Sequence, residues 1–376
     1  MSIRRVPQEI IDMIIDFLHA DKRTLKACSL VCRSWTAAAQ YHILYTFRLT
    51  AEPSKGGYAV QLRPYLEPPV SERIRELVLT PGPSRYSPLS EFTMDVLLSV
   101  LTTLPYLRSL SLSETGFVET NDHGMTNQPD HFCLKKLEIS WMYPTSPGTP
   151  RGFLDVLSVL SDVRELHLGP IHNKHLPSEY ELVDIARTTR VQHMTLSEVS
   201  PALVTTLSGL MYPGSLKTIK ACITTANEVA LLGTLLHGVG SKLEQFQLAI
   251  WNFWFNDIID WSTLNLGVCP KLQSVVVLYA NAGVVYSWQT VFDILTVIPS
   301  SILDLTVVVR EAECFNTLNW SRMQRCLSKF TRLHRLCFRL CRGGDPFRSK
   351  EVDKDIMKRI NSAFPVLRDR NVLSQY

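Results

Sequence analysis

A six-residue pattern, apolar-x-x-apolar-x-apolar, recurs along most of this chain and leaves it few folds to choose from. It reads "IRELVL" from 74, "LRSLSL" from 107, "LKKLEI" from 134, "VRELHL" from 163 and "VQHMTL" from 191. It continues as "LKTIKA" from 216, "LEQFQL" from 243, "LQSVVV" from 272, "ILDLTV" from 302 and "LHRLCF" from 333. The copy at 216 is the weakest, with Ala221 in the last apolar place, and "YTFRLT" at 45–50 reads as a further, leading strand. Successive copies begin 33, 27, 29, 28, 25, 27, 29, 30 and 31 residues apart. Short alternating runs of this kind predict strands. Between them lie apolar faces at helical spacing: 92–105, 153–162, 202–213, 228–239, 291–299 and 352–364. A unit of one strand and one helix has apolar surface on two sides, so it is stable only when stacked on its neighbours. The expected fold class is therefore α/β, with a parallel sheet on the inside of a curve and helices outside.

A period near 28 with one strand per unit resembles the leucine-rich repeats. The Asn that usually follows the strand motif is mostly absent, so the resemblance is to an irregular solenoid of about ten to eleven repeats over 46–376, as in fungal members. Loops rich in Gly, Pro, Asn and Asp at 119–131, 144–150 and 341–350 are expected to project from its edges.

The first 45 residues follow a different pattern. Pro7 suits the first turn of a helix. Ile10, Ile14 and Leu18 form one stripe, Ile11 and Ile15 a second, and Asp12 and Asp16 lie outside them. Asp21 can cap a second helix carrying Leu25 and Cys28. A third follows from about Cys32, with Trp35, Ala38, Ala39 and His42 on one face. Three such helices bury too little surface to stand well alone, so their apolar surface needs a cover.

The order Val6-Pro7-x-Glu9-Ile10-Ile11-x-x-Ile14-Ile15, then Leu25, then Cys28-x-Leu30-Val31-Cys32-Arg33-x-Trp35, resembles an F-box, with Val6 in place of the usual Leu. The resemblance implies a docking module for the small Skp-type adaptor and, through it, the cullin scaffold of a ubiquitin ligase. On this reading Val6, Pro7, Ile10, Ile14, Leu18, Leu30 and Val31 meet the adaptor, and Trp35 knits the helices together. The alternative is an N-terminal helical cap on a repeat scaffold with no ligase role.

Nothing in the composition points elsewhere. Lys plus Arg number 39 against 35 acidic residues, a net charge of +4 without a dense basic cluster, so nucleic acid is not an expected partner. No run of about 18 apolar residues predicts a membrane span. The 9 cysteines are scattered without a CxxC pair, which argues against structural zinc and for free thiols in a reducing compartment, cytoplasm or nucleus. Cys28 and Cys32 read as small core residues. His172 and His175 in "HNKH" read as a surface loop, and phosphate-binding glycine loops are missing. No catalytic residue, metal ligand or cofactor is therefore expected.

A recognition surface is expected instead, on the sheet face formed by the third, fifth and seventh residues of each motif. That face is polar in the early copies, as in Glu76, Ser109, Lys136 and His193. It becomes apolar at Val276, Leu278 and Val308 and basic at Arg310, Arg335 and Arg339. Those six are the candidate contacts for an acidic or phosphorylated, partly apolar protein substrate. In "IWNFWF" at 250–255, the spacing of Trp254, Ile258 and Trp261 reads as a packed helix face.

Overall fold

The computed structural model describes residues 6–52, 56–82, 91–113, 116–118, 132–140, 143–144, 156–170, 189–251, 259–280, 288–310, 312–341, 349–352, 354–364 and 372–373. The chain forms two compact units, Met1–Leu160 and Ser161–Tyr376.

The first unit opens with helices α1 (Gln8–Phe17), α2 (Lys22–Cys28) and α3 (Arg33–Tyr45). Pro7 is the N-cap of α1, one position earlier than expected, and its carbonyl accepts from the amides of Ile10 and Ile11. Ile11, Ile15, Leu25, Cys28 and Ala39 form a small buried core, with Leu18, Trp35, Ala38 and Ile43 packed against it. The backbone amides of Arg23 and Thr24 donate to Asp21 Oδ1, so Asp21 caps α2 as its residue type predicts. Hydrogen bonds from Thr24 hold the Asp21 carboxyl below its ordinary value. Polar links set the helix angles. His42 Nε2 and Asp16 Oδ1 are 2.7 Å apart, joining α3 to α1. Lys22 Nζ donates to the carbonyls of His42 and Ile43 near the end of α3, where the helix dipole favours a cation.

The α3 helix runs straight into β1 (Thr46–Ala51), the expected leading strand. Then come α4 (Gly57–Leu62), β2 (Glu76–Pro81), β3 (Glu91–Thr93), α5 (Met94–Thr103), β4 (Ser109–Ser113), β5 (Gly116–Val118), β6 (Phe132–Ser140) and β7 (Tyr143–Pro144). Parallel pairing runs β1-β2-β4-β6, with Thr46 against Glu76, Glu76 against Ser109 and Ser109 against Lys136. The third residue of each motif thus stands in one row. The strands β3, β5 and β7 form a second, small parallel sheet that the sequence pattern does not announce. Helix α5 buries Val96, Leu97, Val100 and Leu101, the stripe expected from its spacing.

The second unit continues the alternation. It contains β8 (Leu160–Leu168), β9 (Arg190–Leu196), α6 (Pro201–Leu210), β10 (Thr218–Ile223), α7 (Ala226–Val239), β11 (Gln245–Trp251) and β12 (Ser274–Ala280). After these come α8 (Trp288–Val297), β13 (Asp304–Val309), α9 (Trp320–Leu327), β14 (Arg335–Cys341), β15 (Ser349–Glu351) and α10 (Lys354–Ala363). The strands from β8 to β14 pair in parallel and in sequence order. Each copy of the motif therefore forms a strand. The fourth motif residues Ile219, Phe246, Val275, Leu305 and Leu336 are neighbours across the ladder and are all buried, which places the main core on the helix side of this sheet. Each such side chain is worth about 1.5–3 kcal/mol of burial.

Three details depart from the sequence reading. The stretch 153–162, read as a helix, runs into β8 from Leu160. Between β11 and β12 the chain makes two 3-10 turns, Trp261–Leu264 and Leu266–Val268. Trp261 is buried as anticipated, whereas Trp254 and Ile258 lie outside the described residues. Helix α7 packs on the first of these turns so closely that a Cβ on Gly233 would stand 1.9 Å from the Thr263 carbonyl oxygen. The stretch 341–350, read as a projecting loop, includes the end of β14 and the start of β15, which pair antiparallel. Helix α9 was not foreseen: among its eight residues only Met323 and Leu327 are buried, too few for a periodic signal.

Candidate functional site

Helix α1 is apolar on two flanks, and only one of them is used by the three-helix core. Ile11 and Ile15 face inward. Ile10, Met13, Ile14 and Phe17 face outward at i, i+3, i+4 and i+7, with Phe17 87% exposed. Val6 and Pro7 extend the flank at the start of α1. Leu30 and Val31, between α2 and α3, are also exposed, Leu30 at 85%. Their amides donate to the carbonyls of Ala27 and Cys28, and the Thr36 hydroxyl donates to the Ser29 carbonyl, so the turn that presents them is pinned.

Six of the seven residues expected to dock an adaptor are thus exposed on the helical module. Leu18 is the exception. The helix ends at Phe17, so the stripe loses its register there and Leu18 turns against the small core. Met13 and Phe17 are exposed apolar residues outside the predicted set, and the signal for them was their i+3 and i+7 spacing from Ile10. Cys32 also departs from expectation. It is the N-cap of α3 and exposed, with its sulfur 3.0 Å from Ser34 Oγ, a contact that lowers the thiol pKa.

Residues 3–49 match the F-box-like family. The matched segment holds all three helices and the outward flank just described. F-box domains generally bind Skp-type adaptors, so the match suggests an adaptor role of the SCF kind in general terms. No curated protein matches the chain.

The second candidate surface is the sheet face of the second unit that carries the third, fifth and seventh motif residues. The structure divides it into two zones. Most third and fifth places are polar and at least partly open, among them Glu165, His193, Lys220, Gln245, Gln247 and Thr306; the fifth-place Val276 and Cys337 are exceptions. Burial pushes the His193 pKa down, with Glu165 acting the other way. Four consecutive seventh places are closed. Cys222, Ala249, Leu278 and Val308, neighbours across the ladder, form a buried apolar cluster with Cys341, and Trp251 and Val276 pack against it. Leu278 and Val308 are 1% and 2% exposed, so they are not the open contacts expected from strand alternation, and Val276 is only partly open. Alternation fixes which face a side chain takes, not whether that face is covered. Arg335 stands apart from Arg339. Arg335 pairs with Asp304 at 3.2 Å, while Arg339 lies four residues further along β14, about 13 Å at strand rise. Arg310 is exposed just beyond β13.

Burial raises the thiols of Cys222 and Cys269 to about 12 and about 11, which leaves both as unreactive neutral groups at ordinary pH. Among the described residues no cluster of His, Cys, Asp and Glu could hold a metal ion, and no helix is long and apolar enough to cross a membrane. His172 and His175 lie outside the described residues.

Proposed function

We propose that this protein is a substrate-recognition subunit of an SCF-type ubiquitin ligase, acting by proximity and without catalysis of its own. The N-terminal helices dock a Skp-type adaptor held on a cullin, and the strand-and-helix repeats, read as irregular leucine-rich repeats of the fungal kind, hold a protein substrate. Holding the substrate near a ubiquitin-loaded enzyme raises its effective concentration, which requires no reactive group on this chain. Such a complex works in the cytoplasm or nucleus.

The observation that carries the reading is the outward flank of α1 together with Leu30 and Val31. It is an apolar surface on a segment that matches the F-box-like family, and a monomer gains nothing by leaving it wet. The partly open polar places on the second unit's sheet, Lys220, Gln245 and Gln247 among them, favour a substrate segment bound largely by hydrogen bonds. The test is co-elution of the purified full chain with a Skp-type adaptor in gel filtration. Stable co-elution is expected for the natural chain and its loss for the double variant Leu30→Asp, Val31→Asp. Co-elution that survives this double change overturns the docking assignment.

A further inference from the structure

The helix layer of the second unit carries a groove between α8 and α9, about 720 Å³ in volume. Thr296, Asn319, Arg322, Arg325, Cys326 and Lys329 line it. Three of these are basic, and no carboxylate stands among the described lining residues. Arg322 and Arg325 are three residues apart on α9, so their like charges are neighbours on one side of the helix and repel, and Lys329 follows just past its end. The nearest acid on α8, Asp293, accepts a hydrogen bond from Gln289 Nε2 and does not line the groove.

Two of the three cations are already held in place. Arg322 Nη1 donates to Gln289 Oε1, and the guanidinium lies 4.6 Å from the Phe292 ring centroid, so its side-chain entropy is largely spent before any ligand arrives. Lys329 Nζ donates to the carbonyls of Thr296 and Ile298, each at 2.7 Å, at the end of α8. Burial lowers its pKa, and the neighbouring Cys326 acts the other way. Arg325 is exposed; its carbonyl accepts from the Ser328 hydroxyl, and its guanidinium makes no hydrogen bond or ion pair among the described residues. Lys329 and Arg322 each brace α8 against α9, and Arg325 stands between them without such a role.

We propose that this groove is a phosphate site, in which Arg325 closes on a dianionic phosphate group against the fixed charges of Arg322 and Lys329. Guanidinium groups suit this ligand, because their planar N–H pairs match two phosphate oxygens at once. Asn319, the N-cap of α9, puts the positive end of that helix dipole on the same groove. The group can arrive as free phosphate or as a phosphorylated side chain. The site stands independently of the adaptor reading, since it uses only the second unit.

The experiment is isothermal titration of the full chain with inorganic phosphate and, separately, with a phosphoserine pentapeptide, in a buffer of fixed ionic strength. Saturable binding of at least one probe is expected, weakened at least tenfold by Arg325→Ala and largely restored by Arg325→Lys. Arg325 is exposed, so circular dichroism of the alanine variant should match the parent. Tighter binding of the pentapeptide assigns the group to a phosphorylated segment, and equal or tighter binding of inorganic phosphate assigns it to the free anion; either supports the site. Unchanged affinity in Arg325→Ala, or no heat from either probe, overturns it.

Discussion

The docking reading is tested most sharply by two adjacent isoleucines with opposite fates. Ile14 is 43% exposed on the outer flank of α1, whereas Ile15 is fully buried in the three-helix core. Complete burial of an isoleucine is worth about 1.5–3 kcal/mol, so covering the exposed part of Ile14 contributes about 1 kcal/mol to a complex. In Ile14→Asp that contribution is lost and a carboxylate must be dehydrated against apolar neighbours, at a further cost of about 2 kcal/mol or more. Together these correspond to a loss of affinity of roughly a hundredfold or greater. The free protein should keep its thermal midpoint, because Ile14 is no part of the core. Ile15→Asp should instead unfold the helical module and abolish capture together with structure. The assay is a titration of each purified variant with a Skp-type adaptor, with a far-ultraviolet melting curve alongside. If Ile14→Asp binds within threefold of the parent while retaining its melt, the outer flank is not the contact surface.

Further outcomes follow from particular contacts. Gly233→Ala puts a Cβ against the Thr263 carbonyl, and the gain in helix propensity does not offset a clash with backbone. A net loss of about 2 kcal/mol is expected, lowering the thermal midpoint by about 4–8 °C, and an unchanged or raised midpoint counts against the α7 packing. His193 is held below its ordinary value of 6.5, so the unfolded chain takes up this proton first. Its contribution to stability is present above that pH and is lost as the pH falls below it, and the urea midpoint should drop from pH 7.5 to 5.5 by more than it does in His193→Gln. For the thiols, in a chain carrying Cys133→Ser, whose thiol is also exposed, a disulfide reagent at pH 7.5 should modify Cys32 early and leave Cys222 and Cys269 untouched until the chain unfolds. A first labelling phase that persists in Cys32→Ser places the reactive thiol elsewhere.

Much of this architecture is legible from local sequence. Each copy of the six-residue motif becomes a strand, because alternating apolar residues at that length fit only a sheet with one face packed. The rows Ile219–Phe246–Val275–Leu305–Leu336 and Thr218–Gln245–Ser274–Asp304–Arg335 follow from the motif once the strands pair in order. The helical start, the Asp21 cap and the two stripes of α1 are likewise local, since spacing alone sets which residues share a flank.

What local pattern cannot supply is the identity of the cover. Both flanks of α1 are apolar, and only the packing of Leu25, Cys28 and Ala39 onto Ile11 and Ile15 leaves Ile10, Met13, Ile14 and Phe17 outside. Leu278 and Val308 take the face that alternation assigns them, yet they are sealed in a cluster with Cys222 and Cys341, residues distant in sequence. The phosphate groove depends in the same way on α8 meeting α9. Spacing along a chain determines direction, and burial is a sum over everything that arrives from elsewhere, so the sequence by itself determined the strands, rows and flanks, while only the tertiary structure decided which of them stay open.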